Sequence, residues 1–204
     1  EEIDGKRDVT TEDWIATKLQ KISESIDEKH LSLLDIGCGS GFIMRNAKGS
    51  FKKIVGVDIS HKILVPLQKQ GYMVVCADTE HLPFKEKIFS VVSCFAVLHQ
   101  LYEYVGLFKE SFRILKKEGI FYSDHDLDKA FSKKFSVLFK LYRFLFDEEK
   151  KYRKKEKKIS AELYHYTEIH NTGVPTEKII AAAENSGFAS VQQLYHWFGL
   201  FPII

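Results

Sequence analysis

From Leu31 to Asp124 the chain alternates short apolar runs with amphipathic stretches. Leu31–Ile36, Lys53–Asp58, Tyr72–Ala77, Ile88–Cys94 and Ile120–Asp124 are rich in Val, Ile, Leu and Phe and predict buried strands. Ile88–Cys94 is continuous in Val and Phe, as a central strand would be. Gly41–Lys48 predicts a short helix. Ser60 caps a second from His61 to about Gln70, which Gly71 closes. Gln100–Lys117 carries Leu101, Val105, Phe108, Phe112 and Leu115 on one helical stripe, and Glu118-Gly119 turns into the fifth strand. Ahead of the alternation, Thr11 caps a helix bearing Trp14, Ile15, Leu19, Ile22 and Ile26. Behind it, Thr176 caps a helix through Ile179, Ile180 and Ala183 that Gly187 ends, and Phe188–Trp197 reads as a sixth strand. Such alternation predicts an α/β fold, a three-layer sandwich with a mostly parallel sheet and helices on both faces.

The pattern breaks between Asp126 and Pro175, a stretch too long for a plain loop. Within it Lys129–Phe146 is helical in period: Phe131, Phe135, Leu138, Tyr142 and Leu145 share a face that Val137, Leu141 and Phe144 widen. Asp147–Lys158 is a charge run, and Ala161–Thr172 is rich in aromatics and histidine. One domain over 1–204, with a helical and aromatic lid at about 126–175, is the expected organisation. The apolar face would cover a hydrophobic or aromatic acceptor, pack on the domain, or, with Lys133, Lys134, Lys140 and Arg143 beside it, touch a membrane surface.

Charge and composition narrow the picture a little. A net charge of +2 points to no polyanionic partner, so nucleic acid is not the expected target. No apolar run approaches the length of a membrane span, and the start, Glu1-Glu2-Ile3-Asp4, has no signal-peptide pattern. Cys38, Cys76 and Cys94 are odd in number and fit no metal spacing, so no metal site is expected. As thiols in or beside buried strands they suit a reduced, cytoplasmic setting.

The chemistry gathers at the strand ends. Asp35-Ile36-Gly37-Cys38-Gly39-Ser40-Gly41 closes the first strand with three alternating glycines, which lets backbone approach a ligand closely. In open α/β sheets ligands bind beyond the carboxyl ends of the strands. Asp58 ends the second strand, where a carboxylate can accept from both hydroxyls of a ribose. Asp78 follows the third, in reach of an exocyclic amine such as that of adenine. The plain alternative for each acid is a solvated charge. The dinucleotide fingerprint needs a glycine at the position of Phe42, and no Gly-Lys-Ser/Thr follows for a phosphate loop. An acid before the turn suits an ammonium or sulfonium better than a pyrophosphate.

In order along the chain, LLDIGCGSG, VGVDIS, CADTEHLPF, IFSVVSCFAVLHQL and LKKEGIFYSDHD resemble successive motifs of class I S-adenosylmethionine-dependent methyltransferases, in particular the type 11 small-molecule group. The resemblance implies a Rossmann-like fold and S-adenosylmethionine as cofactor, with S-adenosylhomocysteine as product. It implies that Asp35, Gly37, Cys38 and Gly39 line the methionine part and that Asp58 binds the ribose. Ile59 would pack on adenine and Asp78 meet its amine, with Thr79 beside it. Phe95 would face the methyl group and the acceptor. Ser90 departs from the Asp often found there, and the expected role is support of the fold. The place after strand four reads Cys94-Phe95-Ala96-Val97 and lacks the Asn/Asp-Pro-Pro-aromatic motif of enzymes that methylate nucleic-acid amines. A small-molecule acceptor is therefore expected, with an RNA or protein methyltransferase, or a non-catalytic cofactor-binding protein, as alternatives. Candidate bases are His125, His99 and His165, with His170 as a further histidine of the insertion.

Overall fold

The computed structural model describes residues 9–137 and 173–194, with side chains from Thr11 onward. The strands are β1 (Ser32–Ile36), β2 (Lys53–Asp58), β3 (Met73–Cys76), β4 (Phe89–Phe95) and β5 (Leu115–Asp124). They form one sheet in the order β3-β2-β1-β4-β5, and every pairing is parallel. The helices are α1 (Val9–Glu24), α2 (Phe42–Asn46), α3 (His61–Lys69), α4 (Val105–Ile114), α5 (Lys129–Lys134) and α6 (Thr176–Asn185).

Side chains alternate across a strand, so each strand feeds two cores. Leu34, Ile36, Val55, Val57, Val92 and Cys94 pack against Leu107, Phe108 and Ile114 of α4 and Ala182 and Ala183 of α6. On the other face Leu33, Val91 and Phe95 meet Ile15 and Leu19 of α1 and Phe42 and Ile43 of α2. Met44 joins Leu64 and Leu67 of α3. Every residue of β1 and β4 is buried. At about 1.5–3 kcal/mol for each large apolar side chain removed from water, these two strands anchor the fold. The three-layer α/β sandwich read from the alternation is the one observed.

Several local expectations need correction. α1 begins at Val9, so Thr11 is a buried residue inside the helix and does not hold the N-cap position. The helix expected over Gln100–Lys117 is split into a 3-10 turn, Leu98–Gln100, and α4. Its buried face is Leu107, Phe108, Ser111 and Ile114, while Val105 and Phe112 of the expected stripe are exposed by 41% and 47%. β5 starts early because Leu115 already pairs with Phe89. Lys116–Gly119 then bulges out, with Glu118 at φ 61°, before Ile120 pairs with Val91. Leu115 is buried and fits the helical period, so period alone did not mark where the helix stops.

Ser60 holds the N-cap position of α3, but its side chain makes no capping bond. Pro175, not Thr176, is the N-cap of α6, and the Thr176 hydroxyl donates to Asp128 Oδ2 at 2.5 Å. Residues 188–194 form no strand: Phe188 turns into an aromatic cluster with Phe108, Phe112 and Phe121. The remainder of the expected sixth strand lies outside the described residues. So do residues 138–172 of the insertion, including half of the expected helix Lys129–Phe146, the charge run and most of the expected lid; in the described half the helix α5 ends at Lys134. Cys76 is exposed on the edge strand, so only Cys38 and Cys94 are buried thiols. The insertion's two ends do meet: Leu127 O accepts from Val174 N–H (2.7 Å) and Val174 O from Lys129 N–H (3.0 Å).

Candidate cofactor-binding and active site

The chain reverses its direction of growth across the sheet between β1 and β4, and the segments following these two strands touch. Gly37 (φ 66°) lies so close to Val97 that a Cβ there would stand 2.3 Å from Val97 Cγ2. Gly39 and Gly41 also adopt positive φ. The turn is closed by Cys38 N–H to Val57 O (2.9 Å) and Gly41 N–H to Cys38 O (2.8 Å). The Cys38 thiol is buried against α2 and α3, and burial pushes its pKa up. It fills the space that Gly56 leaves, where a Cβ would stand 2.8 Å from the sulfur. Cys38 thus meets the turn through its backbone, with its side chain in the core.

Asp35 is 1% exposed and accepts from the Ser93 hydroxyl at 2.9 Å, across the β1–β4 pair. At the end of β2, Asp58 Oδ2 accepts from Gly39 N–H (3.0 Å) and Oδ1 from Ser60 N–H (2.9 Å). A carboxylate has about four acceptor sites, so the two bonds that tie it to the glycine turn leave capacity for two ribose hydroxyls. Ile59 next to it is 73% exposed, a large apolar side chain presented to whatever binds there. Asp78 is exposed past β3, with Oδ1 accepting from Glu80 N–H (3.0 Å) and Thr79 Oγ1 at 3.5 Å. The β2–β3 register pairs Asp58 with Cys76, so both acids leave the same edge of the sheet. These residues fit S-adenosylmethionine: buried acid, bare glycine turn, ribose-type carboxylate, exposed apolar platform and a second acid lie at successive strand ends.

The ends of β4 and β5 form the other wall. The Phe95 ring stacks on His125 with centroids 4.5 Å apart and lies 5.3 Å from Phe42. Two non-glycine residues here take left-handed backbone, Ala96 (φ 55°) and His125 (φ 66°), and Ala96 N–H is held by Asp124 O at 2.9 Å. Such strain persists where the surroundings hold it, and it clusters at functional sites. What holds it is Asp124, whose carboxylate accepts from Tyr122 Oη (2.5 Å), Trp14 Nε1 (3.4 Å) and His125 N–H (2.6 Å). Burial and the adjacent Asp124 charge both push the Tyr122 pKa up. α1 therefore reaches the site through Trp14.

His99 lies on the 3-10 turn after β4. Asp126 Oδ1 accepts both its backbone N–H (2.9 Å) and a hydrogen bond at Nδ1 (2.8 Å). The structure thus gathers Asp35, Gly37, Gly39, Asp58, Ile59, Asp78, Thr79, Phe95, His99 and His125 at one end of the sheet, while His165 and His170 lie outside the described residues. Ser93, Asp124, Asp126, Trp14 and Tyr122 were not singled out as site residues in the sequence, where Trp14 was read only as part of an apolar helix face. The run Asp124-His125-Asp126 at a strand end was the signal available for two of them. Among the described residues no cluster suits a metal ion, and no helix is long and apolar enough to cross a membrane.

Residues 34–123 match a family model described as a methyltransferase domain. Over 116 residues the chain is 28% identical to a demethylmenaquinone methyltransferase of Lactococcus lactis, covering 52% of this chain and 45% of that protein. It is 31% identical over 91 residues to the mitochondrial arginine-hydroxylase of Danio rerio, covering 43% and 28%. A solved candidate methyltransferase from Bacillus halodurans shares the fold, with a TM-score of 0.57 over 85% of this chain and 68% of that one, at 21% identity. The chain spans less than half the length of these two curated relatives.

Proposed function

We propose that the chain, whose residues 34–123 match a methyltransferase-domain model and whose fold is that of a solved candidate methyltransferase, is an S-adenosylmethionine-dependent class I methyltransferase that acts on a small acceptor of hydrophobic or aromatic character. The observation that carries this reading is the tie between Asp58 and the glycine turn, which joins a ribose-type carboxylate to a turn built for close approach. When bound, S-adenosylmethionine supplies a methyl group already activated on a sulfonium. The protein's own work is to hold and align. Asp58 binds the ribose hydroxyls with its remaining lone pairs, Ile59 covers adenine, and Asp78 and Thr79 take its amine. Asp35 balances the cationic methionine end from a buried position, where a charge acts more strongly than in water. Phe95 and His125 wall the acceptor side and exclude water, and alignment of reacting groups supplies much of the rate. His125 and His99 are the groups able to take a proton from an acceptor that must lose one. Free thiols fit a reduced cytoplasmic setting.

The test is transfer of labelled methyl groups from S-adenosylmethionine into small-molecule, RNA and protein fractions of a cell extract. Label in the small-molecule fraction supports the reading. Label confined to RNA or protein overturns the acceptor class, and no label despite cofactor binding overturns catalysis in favour of a binding protein or, as in the hydroxylase relative, other chemistry on a shared domain.

A further inference from the structure

Asp126 is used by none of the cofactor contacts above, yet its side chain is only 6% exposed. A carboxylate is costly to bury and is kept where it is paired. Its Oδ1 takes two donors from one residue, His99, at 2.9 Å from the backbone nitrogen and 2.8 Å from Nδ1. Its Oδ2 is buried and has no hydrogen-bond partner among the described residues. The charge is felt by its neighbours: burial first, then Asp126, push the Tyr104 pKa up to about 12, and the buried Cys94 thiol is raised by the same two causes in that order. The carboxylate thus lies near Cys94 and Tyr104 as well as against the His99 ring.

An ionised carboxylate only accepts, so the ring nitrogen facing it must carry the proton. Imidazole left to itself in water exchanges its proton between the two nitrogens, and the bond made by one fixes the role of the other. The backbone bond adds a second constraint, because Oδ1 cannot follow a flipped ring without leaving His99 N–H. We propose that Asp126 is a positioning residue for methyl transfer: it locks His99 with Nδ1 protonated, so that Nε2 is the ring's proton-accepting atom on the segment that follows β4. This inference rests on the methyltransferase reading. In the reaction, the acceptor atom gains the methyl group as the donor's C–S bond breaks, and the proton it sheds passes to His99 Nε2. The imidazolium that forms is stabilised by the Asp126 charge behind it, as a buried carboxylate does for a histidine base in hydrolytic triads.

The test uses the full chain and begins with a readout that needs no acceptor. Long-range proton–nitrogen NMR of the histidine rings, assigned with His99→Gln, reports which nitrogen is protonated. The wild type should show His99 with a pyrrole-like Nδ1 and a pyridine-like Nε2. Asp126→Ala should release the ring to the opposite or a mixed tautomer. It should also lower labelled-methyl transfer to the small-molecule extract by about 100-fold, the range of a lost base. Asp126→Asn is the conservative variant, and it covers the case in which the alanine variant fails to fold. The backbone N–H still draws its amide oxygen, so the tautomer stays and transfer falls much less. A wild-type His99 protonated at Nε2 would overturn the proposal, as would an alanine variant with unchanged tautomer and unchanged transfer. S-adenosylhomocysteine affinity, read in parallel, should stay within about twofold in all variants. Its absence in the wild type would sink the methyltransferase reading, while the tautomer result would stand by itself.

Discussion

Gly37 shows how one missing side chain serves both fold and site. A Cβ would press into Val97, and φ 66° is backbone that other residues adopt only with strain. Gly37→Ala should therefore cost roughly 2–4 kcal/mol, combining left-handed strain with overpacking. A urea denaturation midpoint close to the wild type's would show that the turn can relax. Asp58 carries the opposite kind of information. Its two backbone bonds tie it to the glycine turn and to Ser60, and its spare lone pairs are those the proposed ribose contact would use. Asp58→Ala should weaken S-adenosylhomocysteine by about 100-fold or more, since hydrogen bonds to a charged group are worth about 1.5–3 kcal/mol each. Calorimetry with unchanged affinity would remove Asp58 from the site. The placement of both residues at the glycine turn was legible in the sequence because it is set by local pattern, a glycine spacing and a strand-end acid. Asp124 and Asp126 were harder to see. They are held by Trp14 and His99, partners 110 and 27 positions away that only the fold brings near.

Among elements, the strands were read closely and the helix ends less well. A continuous apolar strand such as Phe89–Phe95 is unmistakable because both its faces are buried. The end of α4 was missed because Leu115 is buried whether it ends a helix or starts a strand. The place where the family often has Asp shows how an element compensates. Ser90 Oγ accepts from Ser32 N–H (3.1 Å) and donates to Glu28 Oε2 (2.7 Å), and Lys116 Nζ in turn donates to Glu28. This network lies at the amino end of β4, away from the cofactor residues. Ser90→Ala should then lower stability by about 1–3 kcal/mol, the cost of buried groups left unpaired, with S-adenosylhomocysteine affinity unchanged; a loss of affinity would contradict the separation. α4 is tied down differently. Arg113 donates to Phe84 O and Leu82 O, and Glu110 accepts from Leu82 N–H. The Arg113 guanidinium holds the Glu110 carboxyl below the ordinary glutamate value of 4.5. A carboxylate depressed by folding stabilises above its unfolded value, and the benefit is lost as pH falls through the folded value. As pH falls below the ordinary glutamate value of 4.5, the wild type should thus lose more stability than Glu110→Gln. Equal acid limbs in denaturation curves would show the pair to be unimportant.

At the scale of the whole molecule, the strand order places the site. Growth from β1 through β2 to β3 on one side, and through β4 to β5 on the other, opens a crevice beyond β1 and β4. The donor half of that crevice follows from motifs in sequence. The proposed acceptor half lies where β5, α1 and the 3-10 turn converge. Calorimetric titration of the full chain with S-adenosylhomocysteine, beside NAD as control, tests the assignment most directly. Saturable one-to-one binding of S-adenosylhomocysteine and none of NAD is the predicted result. No heat with S-adenosylhomocysteine, or binding of NAD in its place, would contradict it.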